Sequence, residues 1–217
     1  MKLDKNTYGT VLLVYLFCAA TLFLLHYFVR PWWIVWPLTA LIIWVAGWQT
    51  AFHLVPDRDK AGSSRDVSAV ADGKIVLIEK MPENEFLKRE CIMVSTYMDF
   101  WDVHANFWPV TGKVNYAKYH PGEHFLAFKP KASEENEHSC TCIRTPEGKD
   151  VFFKQLAGVF ARRIVNYAVE GMPVKAGEQC GIIKFGSRID LFLPPDAEIL
   201  VNVGDTVRAC ESLIARL

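Results

Sequence analysis

Two long apolar stretches open the chain. No Asp, Glu, Lys or Arg lies between Lys5 and Arg30, and none lies between Arg30 and Asp57. Each stretch is longer than the about 20 apolar residues that a helix needs to cross a bilayer. The pattern therefore predicts two membrane helices, over about 8–28 and 31–52.

The junction of the two stretches predicts a tight turn at Arg30 and Pro31, and hence a helical hairpin within an anchor of residues 1–56. Two apolar stretches in tandem, without a small-x-small cleavage site, argue against a cleavable signal peptide. Positive residues flank both ends, and such flanks mark the cytoplasmic side of a membrane. They are Lys2, Lys5, Arg58, Lys60 and Arg65. We expect the hairpin to lie in the cell membrane, with the following domain facing the cytoplasm.

The pattern changes after a polar stretch, residues 57–66, which is typical of a linker. Short apolar, β-branched runs follow, separated by Gly, Pro, Asp and Asn. They are Ile75–Ile78, Cys91–Thr96, Lys113–Tyr116, Phe125–Phe128, Val151–Phe153, Ile182–Phe185, Ile189–Leu193 and Ile199–Val203. This predicts one β-rich domain of the α+β class over residues 67–217. Periodicity alone does not decide between a helix and a buried strand for Leu156–Glu170.

A near-repeat links two segments of this domain. Gly171–Glu178 and Gly204–Glu211 both follow the pattern G-x-x-V-K/R-A-x-E. Each glycine suits a tight turn and each valine begins a strand, so we expect two related hairpins about a pseudo-twofold axis. The pattern resembles the barrel-sandwich core of lipoyl and biotinyl carriers. Phe185–Asp190 stands between the repeats instead of a modifiable lysine, which argues against a carrier function.

Composition narrows the function. The chain is 51% hydrophobic and carries 24 basic and 24 acidic residues. This balance excludes a disordered chain and a basic nucleic-acid binder, so no nucleic-acid partner is predicted. The six cysteines are expected to be reduced in a domain that faces the cytoplasm.

Several separate motifs in register carry a specific resemblance. They are Asp72-Gly73, Asp99–Asn106 with Pro109–Gly112, Tyr119–Gly122, Ala161–Val165 and Phe185–Asp190. In this order and spacing they resemble the short form of phosphatidylserine decarboxylase, a pyruvoyl-dependent enzyme, from about Val67 to Leu217. A serine in a simple turn is the alternative interpretation of Gly186-Ser187 taken alone.

The resemblance implies a proenzyme that cleaves itself. The Ser187 hydroxyl would attack the Gly186 carbonyl, and the resulting ester would eliminate to leave a β chain of residues 1–186 and an α chain of residues 187–217. The two chains would stay together as a heterodimer, with a higher oligomer left open. The pyruvoyl group formed from Ser187 would take the amine of phosphatidylserine as a Schiff base, and the product would be phosphatidylethanolamine. No added cofactor and no metal are implied.

A serine hydroxyl needs a base, and the base needs an orienting group. His104 is the candidate base. Asp102 would share its face in a strand, whereas the resemblance favours Asp72 as the carboxylate. Related enzymes carry a second histidine at the position of Trp101, so the donor that protonates the substrate carbon is unassigned and His104 is a candidate for both steps.

Other polar residues allow alternatives. Arg188 and Lys184 flank the cut and either bind the substrate phosphate or carboxylate or are surface charges. Potential metal ligands are His120, His124, His138, Cys140 and Cys142. Their spacing matches no standard zinc motif, and Cys140 and Cys142 also fit one face of a strand, so no metal site is predicted.

Two rival functions remain at this point. One is a non-enzymatic, membrane-anchored adaptor or assembly module built on a lipoyl-like domain. The other is a serine hydrolase that uses His104 and Ser187 and keeps its chain intact. Cleavage at Ser187 separates the decarboxylase from both rivals.

Overall fold

A helical hairpin forms the first unit of the chain, Met1–Pro56. Helix α1 spans Tyr8–Phe28 and helix α2 spans Trp32–Phe52, which confirms the two predicted apolar helices. Strand β1, Lys2–Leu3, pairs antiparallel with strand β2, Leu54–Val55. This ladder brings the two ends of the hairpin to the same end of the unit, as the turn at the junction predicts.

Polar contacts join the two helices at two points along their length. The Tyr15 hydroxyl lies 2.8 Å from Thr50 Oγ1, and His26 Nε2 lies 3.0 Å from Thr39 Oγ1. Both helices are long and apolar enough to cross a membrane. Most of their large apolar side chains point outward, which suits a lipid environment better than water.

The second unit, Asp57–Leu217, is built around an antiparallel sheet of eight strands that forms a curled half-barrel. A computed structural model describes the chain over residues 1–123, 136–158, 163–184 and 187–217. The eight strands are β4 (Gly73–Glu83), β5 (Arg89–Met98), β7 (Gly112–His120), β8 (His138–Arg144), β9 (Asp150–Leu156), β11 (Pro173–Val174), β13 (Ser187–Leu193) and β15 (Thr206–Val207). Their order is β11-β7-β8-β9-β13-β5-β4-β15, and every neighbouring pair is antiparallel.

Two smaller sheets of three strands accompany the large sheet. The remaining strands are β3 (Asp66–Ser68), β6 (Ala105–Phe107), β10 (Arg163–Asn166), β12 (Gln179–Lys184), β14 (Glu198–Ile199) and β16 (Leu213–Arg216). They lie in the orders β10-β12-β6 and β14-β16-β3. The series β10, β11, β12 therefore has the same arrangement as the series β14, β15, β16. In each series the first and third strands pair with each other in a small sheet, and the middle strand forms an edge of the large sheet.

The two near-repeats adopt the same backbone conformation. Their first residues, Gly171 and Gly204, have φ of 86° and 102°, and their seventh residues, Gly177 and Cys210, have φ of 87° and 68°. The β11 and β15 strands that they contain lie at opposite edges of the large sheet. The Cys210 thiol lies 3.8 Å from the Gly177 carbonyl oxygen, so the two segments meet. The shared sequence pattern thus encodes a shared turn.

The large sheet packs apolar side chains on both faces. Along β5, Ile92 and Val94 belong to the main core, whereas Cys91 and Met93 belong to a second cluster. This alternation follows from the two-residue period of a strand. The second cluster comprises Cys91, Met93, Cys140, Cys142, Phe152 and Phe192.

The β-rich prediction for the second unit is confirmed, with differences at particular segments. Leu156–Glu170, left open between helix and strand, contains the end of β9 and the whole of β10, and residues 159–162 lie outside the described part. The predicted strand Phe125–Phe128 also lies outside it. Ile199–Val203 is extended only at its first residue, because the near-repeat turn begins directly afterwards. Residues 57–66, predicted as a linker, are grouped with the second unit, and their last residue begins β3.

Candidate active site

Ser187 begins β13 and is fully buried. It pairs with Met98, the last residue of β5, and its hydroxyl donates to Met98 Sδ at 3.3 Å. A thioether is a weak acceptor, so this contact does not tie up the hydroxyl strongly. Gly186, the predicted partner in the cleaved bond, lies outside the described residues.

His104 is also fully buried and stands directly before β6. Its Nδ1 lies 2.8 Å from the Asp102 carbonyl oxygen. A carbonyl only accepts, so Nδ1 carries the proton and the lone pair of the neutral ring lies on Nε2, as a general base requires. The His104 carbonyl accepts from the amide of Ile183, near the end of β12. The fold thereby holds His104 close to the segment that leads into Ser187.

The Met98 sulfur contacts both Ser187 and Asn106. Met98 Sδ accepts from Ser187 and also from Asn106 Nδ2 at 4.0 Å, two residues after His104. Asn106 is fixed in turn, because its Oδ1 accepts from Gln155 Nε2 at 2.8 Å. Met98 and Gln155 were not among the predicted site residues. Their sequence surroundings are ordinary strand patterns, and only the pairing of β5, β9 and β13 reveals them.

Asp72 precedes β4 and binds groups far away in sequence. Its carboxylate forms a two-point ion pair with Arg58, in which Nη2 lies 2.9 Å from Oδ2, and it accepts from the Ala209 amide at 2.8 Å. The hydrogen bond to Asp72 raises the pKa of Arg58. Gly73 follows with φ of 151°, and a Cβ there would lie 2.2 Å from the Tyr97 carbonyl oxygen. Arg58 and the Ala209 amide thus hold Asp72, and Gly73 lies close against the Tyr97 backbone.

Asp102 lies in the same region as Asp72. Its carboxylate accepts from the Asp99 amide at 2.8 Å. Burial raises the pKa of Asp102, and the nearby carboxylates of Asp99 and Asp72 raise it further. Asp102 thus contacts His104 through its backbone carbonyl, while the Asp72 carboxylate is paired with Arg58. The assignment of Asp72 as the group that orients His104 stays a prediction.

Arg188 is buried, with its side chain 3% exposed, so it is not a surface charge. Its Nε and Nη2 lie 2.6 and 2.7 Å from the two carboxylate oxygens of Asp190. Asp190 also accepts from the Ser95 hydroxyl at 2.6 Å. Lys184, the other predicted substrate-binding residue, is the last residue of β12.

The loop before His104 carries two exposed aromatic side chains. Phe100 is 38% exposed and Trp101 is 73% exposed. Trp101 stands three residues before His104, at the position where the resemblance to the longer family members implies a second histidine. An exposed Trp beside a buried His gives this side of the site an apolar rim, which is suited to contact with a lipid interface.

The residues considered in the sequence as potential metal ligands fall on another part of the sheet. Cys140 and Cys142 lie on one face of β8, within the second apolar cluster, and burial raises the pKa of both thiols. His138 lies two residues before Cys140 and opposite His120 of β7. His124 lies outside the described residues.

Comparisons with known proteins agree with the resemblance in the motifs. A family model described as Phosphatidylserine decarboxylase matches residues 46–215. A protein of Amoebophilus asiaticus is 41% identical over 170 residues, which are 78% of this chain and 76% of the relative. One of Parabacteroides distasonis is 45% identical over 151 residues, 70% of this chain and 69% of the relative. One of Cytophaga hutchinsonii is 36% identical over 218 residues, 99% of this chain and 98% of the relative. All three are named Phosphatidylserine decarboxylase proenzyme.

The matched region contains Asp72, His104 and Ser187 together with the strands that hold them. It spans well over half of the chain, and one relative aligns over nearly the whole of it, including the helical hairpin. This chain belongs to the phosphatidylserine decarboxylase family.

Proposed function

We propose that this protein is a proenzyme that cleaves its own chain between Gly186 and Ser187 and then decarboxylates phosphatidylserine to phosphatidylethanolamine. The observation that carries the proposal is the buried Ser187 at the start of β13, with His104 bonded to the end of the preceding strand. Membership of the family supplies the reaction.

Cleavage needs an activated hydroxyl and a base. In the proposed reaction Ser187 Oγ attacks the Gly186 carbonyl carbon, the peptide C–N bond breaks, and the freed nitrogen takes a proton. Removal of the Ser187 α proton then expels the Gly186 carboxylate, which separates the chains. Hydrolysis of the remaining enamine releases ammonia. His104 is the base that accepts the hydroxyl proton, and its Nδ1–H tautomer supports this role.

A pyruvoyl group at position 187 supplies a ketone for the substrate amine and a sink for the electron pair that carbon dioxide leaves behind. The surroundings of Ser187 fit a small carbonyl group, since the residue is buried beside the Met98 thioether, which the Asn106 amide also contacts. His104 is also the candidate that returns a proton to the substrate carbon. Burial of these groups keeps water from competing for that step.

We assign recognition of the lipid to residues near Ser187 in the chain. Lys184 is proposed to attract the substrate phosphate or carboxylate. The role of Arg188 in binding the substrate stays a prediction, because Asp190 holds its buried guanidinium. The exposed Phe100 and Trp101 suit contact with the acyl or interfacial part of a lipid. The apolar hairpin suits attachment to the membrane that contains the lipid substrate. The second unit is proposed to face the cytoplasm.

Cleavage at this position is compatible with a stable pair of chains. The α chain would begin with β13, which pairs with β5 and β9 of the β chain along most of its length. These two ladders support a heterodimer of the β and α chains after cleavage. The matching three-stranded sheets and the shared turn of the near-repeats likewise support a barrel-sandwich, lipoyl-like core.

Intact mass spectrometry of the purified full chain tests the proposal. We expect the wild type to appear as two chains divided between Gly186 and Ser187, with a pyruvoyl group at the start of the smaller one. Ser187→Ala, which removes only a weakly bonded hydroxyl, should fold and remain a single chain. Ser64→Ala is the matched control at an exposed serine and should cleave normally.

The rival functions predict other results. A folded wild-type chain that stays intact would overturn the proenzyme and favour the adaptor. An intact chain that reacts with an acylating probe at Ser187 would favour the serine hydrolase.

The orienting carboxylate is tested by the rate of cleavage. We expect Asp72→Asn to slow the appearance of the α chain at least about 100-fold, by analogy with the loss of an orienting carboxylate in other triads. Asp102→Asn keeps the backbone carbonyl that holds His104 Nδ1 and should cleave faster than Asp72→Asn. The reverse order would assign the role to Asp102.

A further inference from the structure

Four side chains of metal-binding type converge on the face of the large sheet that carries the second apolar cluster. They are Glu85, His120, His138 and Cys140, and their ligand atoms all lie within 4.8 Å of one another. Three of them were considered as ligands from the sequence, but the spacing matched no motif because the fourth, Glu85, lies 35 residues before His120.

Strand register brings these residues together. His120 of β7 lies directly opposite His138 of β8, and their rings stack with centroids 4.6 Å apart. His138 and Cys140 are two residues apart in one strand and therefore share a face. Glu85 comes from the turn between β4 and β5 and reaches over this face. A ligand set from three separate elements has no signature in a linear motif.

Two of the side chains are already oriented for ligation. His138 Nδ1 donates to the Asn136 carbonyl oxygen at 2.6 Å, which leaves Nε2 as the lone-pair nitrogen of the neutral ring. The Tyr116 hydroxyl donates to Glu85 Oε1 at 2.8 Å and holds that carboxylate in place. Hydrogen bonds from a second layer of residues to metal-ligating His and carboxylate groups are a regular feature of zinc sites.

Hydrogen bonds now join these side chains, and a bound ion would replace them. Glu85 accepts from Cys140 Sγ at 3.1 Å and contacts His120 Nε2 at 2.6 Å. A tetrahedral zinc ion, with bonds of about 2.0–2.3 Å, brings its ligand atoms to about 3.3–3.8 Å from one another. The cluster therefore needs a contraction of about 1 Å at its widest, within the reach of side-chain rotations.

Charge and access also fit a divalent cation. A thiolate and a carboxylate carry two negative charges, which Zn²⁺ balances while two neutral imidazoles complete the set. Lys154 Nζ lies 3.6 Å from Glu85 Oε2 and can bond to the outer carboxylate oxygen. A surface pocket of about 360 Å³, lined by Glu85, His120 and His138, gives an entry path.

We propose that Glu85, His120, His138 and Cys140 form a structural Zn²⁺ site that ties the β4–β5 turn to strands β7 and β8. Binding forms four metal–ligand bonds and releases the Cys140 thiol proton to solvent. Four protein ligands leave no open coordination position, so the ion stabilises the fold rather than acting on substrate.

The test uses the full chain in detergent, stripped with a chelator and titrated with Zn²⁺ in a calorimeter. We expect one Zn²⁺ per chain, and Co²⁺ in its place should give a thiolate charge-transfer band. Cys140→Ser should weaken Zn²⁺ binding at least about 100-fold and remove the band. Cys142→Ser is the matched control on the same face of the same strand, and it should bind like the wild type.

Folding of the variants is checked by thermal unfolding without metal. If Cys140→Ser does not fold, Glu85→Gln takes its place, because it keeps the shape of a side chain in a turn. Zn²⁺ should raise the Tm of the wild type and of Cys142→Ser but not that of the ligand variant. A wild type that takes up no Zn²⁺, or equal binding by the Cys140 and Cys142 variants, would overturn the proposal.

Discussion

The buried ion pair of Arg188 and Asp190 stands one residue from the proposed cut. Ser187 and Arg188 point to opposite faces of β13, because successive side chains alternate in a strand. The charge of Arg188 is therefore met on its own face, by Asp190, which Ser95 also supports. This arrangement fixes the start of the strand without using the Ser187 hydroxyl.

Removal of one partner from this pair should be costly. Asp190→Asn leaves the buried Arg188 guanidinium beside a neutral amide, which costs about 3–5 kcal/mol in comparable pairs. In a domain of this size that corresponds to a Tm lower by about 6 °C or more. The measurement is thermal unfolding in the Ser187→Ala background, which keeps a single chain.

The exposed ion pair of Lys149 and Asp196 provides the matched control. Both of these side chains are well exposed, so Asp196→Asn should lower the Tm far less than Asp190→Asn does. Equal Tm values for the Asp190 and Asp196 variants would contradict the importance of the buried pair.

Asp66 makes stability depend on pH at the start of the second unit. Its carboxylate accepts from the amide and hydroxyl of Ser63 at 2.7 and 2.9 Å and from Arg216 Nε at 2.9 Å. The Ser63 amide contributes most, and Arg216 next, to lowering the pKa of Asp66 to about 2. The ionised form is thus favoured in the folded state over the unfolded one, whose pKa is about 3.9.

The stabilisation by Asp66 should be fully present above about pH 4 and lost as the pH falls toward 2. We expect the Tm difference between the wild type and Asp66→Asn to be constant between pH 7 and 5 and to shrink below pH 4. Arg216→Gln removes one of the groups that lower the pKa of Asp66, so stability should then depend less on pH. A difference that stays unchanged down to pH 2 would contradict the assignment.

The start of β4 depends on a backbone approach that excludes a side chain. Gly73 combines a positive φ with a Cβ position 2.2 Å from the Tyr97 carbonyl oxygen of β5. An alanine there must push the two strands apart where Asp72 and Met98 are held. This pairing therefore links the conformation of one glycine to the geometry of the candidate site.

Gly73→Ala should lower stability and slow cleavage together. Gly148→Ala is the matched control, because Gly148 also has a positive φ of 81° but nothing lies within 4 Å of its Cβ position. The control carries only the backbone strain of about 1–3 kcal/mol and should cleave at the wild-type rate. The rates are read from the appearance of the α chain on a gel. Similar rates for both variants would contradict a role for the close approach.

The division into two units separates membrane attachment from chemistry. Asp57–Leu217 has its own sheets and its own main core, and it contains Arg58, Asp72, His104 and Ser187. The hairpin of Met1–Pro56 supplies two apolar helices. Each unit thus contains the groups that its own role requires.

Removal of residues 1–56 should leave self-cleavage intact and move the protein out of the membrane fraction. We expect the truncated chain to yield the same α chain by mass spectrometry and to lose most activity toward lipid in vesicles. Ser187→Ala in the truncated chain is the control that must stay whole. A truncated chain that folds but does not cleave would show that the hairpin is needed for maturation.

Local patterns were sufficient for several features of this protein. The two uninterrupted apolar stretches predicted α1 and α2, and the short apolar runs predicted a β-rich domain. The repeated G-x-x-V-K/R-A-x-E pattern predicted two related hairpins, and the two segments share turns with positive φ at matching positions. Ser187 and His104 became candidates through the resemblance to a family, and their roles stay predictions. These features depend on neighbouring residues, whose spacing and conformational preferences are visible in the chain itself.

Contacts between distant segments required the tertiary structure. The pair of Arg58 with Asp72, the position of Met98 beside Ser187, and the approach of Glu85 to His120 each join elements separated by 14 to 89 residues. Strand order and register create these contacts, and both are decided by the packing of the whole sheet rather than by any single segment. For that reason the sequence, through its resemblance to a family, suggested Ser187 and His104 as candidate reacting residues, whereas the groups that hold them emerged only from the folded chain.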